Sequence, residues 1–116
     1  MKILFVIDQY NSHNNGISTS TVRFANCLRN EGHDVRIVTT GTKQDNLYIV
    51  PERYVFIVTR FAHAQGQLFA KPKKNILKNA IEWCDVAHFI MPWKLSKKGI
   101  KIAKKLNKPF TAAFHV

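Results

Sequence analysis

Three features of this 116-residue chain have residue types and spacings that could do chemistry. The first is Gly16, which follows an apolar run and a polar loop and stands just ahead of a helical pattern. A glycine there lets the backbone come close to a phosphate. The helix behind it offers unpaired N–H groups and the positive end of its dipole. An ordinary turn glycine is the plain alternative. The second is His115, at the carboxyl end of the last strand-like run, where parallel sheets put their sites. The third is a helix face with Lys97, Lys98, Lys101, Lys104, Lys105 and Lys108, and no acid between Lys94 and Lys108. Surface helices usually mix signs to gain i,i+4 pairs. A face of one sign beside Trp93 suits an anionic membrane surface, and a merely solvated face is the plain alternative. Nucleic acid is disfavoured, because no Arg lies beyond Arg60 and the lysines are not interleaved with stacking aromatics.

Other chemistries are argued against by what the motifs lack. A dinucleotide site wants G-x-G-x-x-G after the first strand and an acid closing the second. This chain has Gly16 alone and Thr40-Gly41. There is no G-K-[ST] phosphate loop. Asp8 ends the first apolar run, but Gln9 stands where a second Mg²⁺-binding acid would be expected, so Asp8 reads as a loop-capping residue. His13, His33, His63, His88 and His115 show no metal-ligand spacing, and no metal is expected. His88 lies inside a strand and reads as a satisfied core histidine, and His33 belongs to a turn. Cys27 and Cys84 fit no metal pattern and read as reduced, mostly buried thiols.

These residues need elements to hold them. Ile3 to Ile7 is an apolar run of buried-strand length. Ile17, Thr21, Phe24, Ala25 and Leu28 share one helix face, with Ser18 or Thr19 as cap and Gly32 as left-handed C-cap. Val35 to Thr40 is a second strand, which completes a βαβ unit with a right-handed crossover. Leu47 to Val50 is a short strand stopped by Pro51, and Tyr54 to Val58 a better one. Arg60 to Pro72 is irregular. Lys73 to Trp83 is a helix with Ile76, Leu77, Ala80 and Ile81 on its apolar stripe. Asp85 to Met91 is a buried strand. Leu95, Gly99, Ile102, Ala103 and Leu106 line the last helix, and Phe110 to Val116 is the final strand. Alternating strands and helices predict an α/β fold. It should be a Rossmann-like, open and mostly parallel sheet with helices on both faces.

Composition sets the outer bounds. The length suits one domain, and 46% hydrophobic residues suffice for a core. The first apolar run is too short for a signal peptide, and no run is long enough to span a bilayer, so a cytoplasmic protein is expected. The net charge of +11 is uneven. Residues 1–67 carry seven basic and five acidic side chains, whereas residues 68–116 carry eleven lysines and two acids. The second half therefore calls for an anionic partner: nucleic acid, an anionic bilayer or a phosphorylated substrate. The chain stops at a strand end with no closing helix, which suggests a fragment of a longer protein.

Several stretches resemble the N-terminal domain of a family 4, GT-B-fold glycosyltransferase. Met1-Lys2-Ile3-Leu4-Phe5-Val6 followed by Asn15-Gly16-Ile17 is similar to its opening strand and glycine loop. Ala25 through Val35 resembles its L-x-x-x-G-H-D/E-V helix ending. Asp85-Val86-Ala87-His88 resembles its D-V-V-H strand, and Pro109 through His115 its P-x-x-x-x-x-H strand. Ala70-Lys71-Pro72 and Met91-Pro92-Trp93 look closest to bacterial members that glycosylate membrane lipids. The resemblance implies the acceptor-binding half of a two-domain, metal-free, retaining enzyme. Its nucleotide-sugar donor would be held by a second domain with an E-x7-E motif, which this chain lacks. Gly16 would then sit by the donor diphosphate and His115 would hydrogen-bond the transferred sugar. Trp93, Lys97, Lys98, Lys101, Lys104 and Lys105 would meet the acceptor or the inner membrane surface, and the fragment alone would be inactive. Relatives often carry two adjacent glycines where Asn15-Gly16 supplies one. The other reading is a non-enzymatic, basic, Rossmann-like binding module for nucleic acid or another polyanion.

Overall fold

In the computed structural model, residues 1–8, 10, 16–41, 46–51, 70–90 and 93–113 are described. Five strands, β1 (Lys2–Val6), β2 (Asp34–Thr39), β3 (Leu47–Ile49), β4 (Val86–Ile90) and β5 (Phe110–Ala113), form one sheet. Their order is β3-β2-β1-β4-β5, and every pair is parallel. The helices are α1 (Gly16–Asn30), α2 (Lys74–Trp83) and α3 (Lys94–Lys105). All carboxyl strand ends therefore share one rim.

Strand alternation divides the core in two. Leu4, Val6, Val38, Ala87 and Phe89 point to the face covered by Leu77, Ala80 and Ile81 of α2 and by Leu95, Ile102 and Ala103 of α3. Ile3, Phe5, Val35 and Ile37 point to the other face, where Ala25, Val22 and Leu28 of α1 pack. Helices thus cover both faces, as the alternation of elements predicts. Gly99 is where α3 crosses β4 closely: a methyl group there would overlap the buried ring of Phe89.

Helix ends follow their sequences. Gly32, at φ +94°, lets its own N–H reach Arg29 O and the His33 N–H reach Leu28 O. These two bonds are a Schellman closure. Asn107, at φ 55°, does the same for α3, with Asn107 N–H on Lys104 O and Lys108 N–H on Ala103 O. The first helix begins at Gly16, so Ser18 and Thr19 lie inside its first turn and not at its cap. Phe24 is 57% exposed, not buried, because it sits at the edge of the α1 stripe and only leans on Phe5. Val22, half-buried, packs against the cluster instead. Of the two thiols, Cys84 is buried and Cys27 is exposed, so the expectation of buried thiols holds for one of them. The strand expected over Tyr54 to Val58 lies outside the described residues, as does most of Arg60 to Pro72. Ala70, at the end of that stretch, is buried.

Candidate functional site

Gly16 and Asp8 stand at the carboxyl rim. Because β1 is followed by α1 and β4 by α3, both helices start at this rim, and α2 starts there after Ala70. Three helix N-termini thus face the same side and place partial positive charge there. Gly16 is the first residue of α1, whose first turn holds no acid that would repel an anion. The last strand runs parallel to β4, with Ala113 level with Ile90 at the same rim. His115 follows it and lies outside the described residues.

Asp8 is a buried ionisable group at this rim, only 3% exposed. Its Oδ2 accepts the Ala70 N–H at 2.8 Å, and its backbone carbonyl accepts the Thr40 hydroxyl at 2.7 Å. Oδ1 has no partner among the described residues. Burial pushes the carboxyl up to about 6, against the Ala70 N–H and its own N–H, which pull it down. Asp8 accepts a backbone N–H, but from a residue 62 positions away and not from the loop that follows it in sequence. No sequence signal marks that partner.

Five of the six lysines expected on one helix face are exposed. Lys94, Lys97, Lys98, Lys101, Lys104 and Lys105 of α3 are exposed. Lys108 is not on this open face: half-buried, it donates to the Cys84 carbonyl at 2.8 Å. The second helix lies beside α3 on the same sheet face and adds exposed Lys73, Lys74 and Lys78, a contribution that the sequence reading did not single out. Among the described residues the one ion pair is Lys78–Glu82 at 3.9 Å, so the α3 lysines have no acidic partner there. Trp93 stands ahead of α3, half-buried, and packs against the cluster on the α1 face, away from the lysine stripe. His88 is half-buried, with Nδ1 2.6 Å from Thr111 Oγ1 and its ring edge-on to Phe5. It is a partnered structural histidine. Among the described residues no three His, Cys, Asp or Glu side chains come together as a metal site. No described helix is long and apolar enough to cross a membrane.

Sheet order, parallel strands and rim-facing helix N-termini define a Rossmann-like α/β domain. The chain belongs to Glycosyltransferase Family 4, whose family model matches residues 14–116. It is therefore a glycosyltransferase domain, and its partners in general are a sugar donor and an acceptor. Among solved structures it is similar to the C-terminal domain of a hydrogenase from Pyrococcus furiosus. The TM-score is 0.59 and the identity 17%, over 97% of this chain and 91% of that one. At that identity the likeness shows the fold alone. No curated protein matches it in sequence.

Proposed function

We propose that this chain is the acceptor-binding half of a retaining glycosyltransferase that moves a sugar from a nucleotide-sugar donor to a membrane lipid, without a metal. The observation that carries the reading is the β1–α1 junction: in a family 4 chain, Gly16 opens a helix at the carboxyl rim of a parallel sheet. The leaving diphosphate gains charge in the transition state. Fixed N–H donors at that helix start stabilise it without having to reorganise. His115, just beyond β5, hydrogen-bonds the transferred sugar. A second domain holds the nucleotide, so the 116 residues alone transfer nothing.

The lysines of α3, joined by those of α2, seat the domain on the anionic inner face of the membrane, with Trp93 near the acceptor. Each exposed lysine near such a surface contributes about 1 kcal/mol. The test is transfer of labelled sugar to lipid vesicles by the complete enzyme and by its His115→Ala variant. A loss of at least about 100-fold in kcat/KM, near 3 kcal/mol of transition-state binding, supports the reading. Unchanged transfer, or transfer by the 116 residues alone, contradicts it. A non-enzymatic module for a polyanion rests on the lysine face only. It would show steeply salt-dependent RNA binding and no response to nucleotide sugars.

A further inference from the structure

Four stretches far apart in sequence are joined end to end at the carboxyl rim. Asp8 Oδ2 accepts the Ala70 N–H at 2.8 Å. The next N–H, of Lys71, donates to Pro51 O at 2.7 Å. The Val50 N–H donates to Thr39 O at 2.9 Å, and the Thr40 hydroxyl returns to Asp8 O at 2.7 Å. Followed round, these bonds make a closed ring. It runs from the end of β1 to the stretch leading into α2, to the end of β3, to the end of β2, and back. Asp8 enters it twice, by side chain and by carbonyl, and is the ring's one ionisable member that bonds through its side chain.

We propose that Asp8 is a positioning residue of the candidate site: by closing this ring, its carboxyl group sets the exit of β1 toward Gly16 relative to the stretch that leads into α2. Ala70 and Val50 are both 1% exposed and belong to the apolar cluster beneath α2, so the ring is anchored in the core on its inner side. On its other side the chain runs on to Gly16. Asp8 acts through backbone groups.

The ring has a built-in dependence on protons. The ionised carboxylate accepts a charge-assisted bond from Ala70. The protonated acid accepts a weaker one and places an O–H at Oδ1, which has no partner among the described residues. Titratable side chains on the adjoining described stretches are Tyr10, Tyr48, Lys71 and Lys73. None of them contributes to the Asp8 shift, which arises from burial against two N–H donors. The changeover falls near pH 6.

The consequence for catalysis rests on the reading of Gly16 as the diphosphate contact, but the coupling itself is measured without catalysis. In ¹⁵N-labelled 116-residue chain, the amide shifts of Ala70 and Gly16 should titrate with one common midpoint near 6. Asp8→Asn should abolish that midpoint, yet keep Ala70 slow in hydrogen exchange, because its amide oxygen still accepts. Asp8→Ala should speed Ala70 exchange at least tenfold. If Asp8→Ala does not fold, the wild-type and Asp8→Asn titrations decide. Flat Gly16 shifts between pH 5 and 7.5, separate midpoints for the two amides, or a midpoint that survives in Asp8→Asn would overturn the proposal. A shared midpoint that vanishes in Asp8→Asn, with sugar transfer by the complete enzyme unaffected, would uphold the coupling and count against the diphosphate reading alone.

Discussion

On one face of the sheet, α2 and α3 lie side by side and seal Leu4, Val6, Ala87 and Phe89 from water. On the other, among the described residues, α1 alone packs, and it leaves Phe24 and Thr111 exposed and His88 half-exposed. The sealed face carries the lysines on its outside. The α1 face holds the polar His88–Thr111 pair. One side of the domain is thus a positively charged slab of two helices, and the other, among the described residues, carries a single helix.

The largest difference should appear in paired truncations. Phe89→Ala, beneath α3, should cost about 3–5 kcal/mol by urea unfolding, whereas Phe24→Ala on the α1 face should cost about 1 kcal/mol or less. Equal costs would erase the distinction between the faces. Next comes Asp8, where the two faces meet the rim. Its folded value, about 6, lies above the ordinary 3.8. The folded state therefore binds the extra proton, and Asp8 contributes stability below pH 4 that is lost as pH rises through 6. The loss is roughly 3 kcal/mol, and Asp8→Asn should remove that slope from a series of unfolding curves. Gly99→Ala follows. Helix propensity alone would favour alanine by about 1 kcal/mol, but the overlap with Phe89 should make the substitution destabilising by about 1–3 kcal/mol. A stabilised variant would mean that α3 does not press on β4. The smallest effects belong to the lysines. Lys97→Ser, Lys98→Ser and Lys101→Ser should each move stability by no more than about 0.5 kcal/mol. Each should weaken partitioning onto anionic vesicles about fivefold, measured by co-sedimentation. Equal binding to neutral vesicles would show that the slab does not read charge.

How legible this molecule was in its sequence follows from the range of the forces involved. The apolar run at Ile3 and the stripe at Leu95, Gly99, Ile102 and Ala103 are periodic, so β1 and α3 could be read directly, within a residue or so at their ends. Gly32 announced the end of α1, because only a left-handed turn uses it so economically. Phe24 was misjudged because periodicity locates a stripe but not its edge. Lys108 joined the wrong group because its carbonyl partner, Cys84, lies 24 positions away. The ring at Asp8 left no trace in the sequence, since a closure between residues 62 apart has no period and no local motif. The contribution of α2 was hidden for a similar reason: its exposed lysines share a side of the domain with those of α3 only because the sheet carries both helices on one face.

Gly16 offers the most direct test of the central claim, that the start of α1 faces a donor diphosphate. An acid in the first turn of a helix suits its dipole, and α1 has none there, so Gly16→Asp should leave thermal stability unchanged or slightly raised. In the complete enzyme the same charge should repel the diphosphate and lower kcat/KM for the nucleotide sugar on the order of 100-fold or more. An undiminished kcat/KM with a folded Gly16→Asp protein would contradict the account.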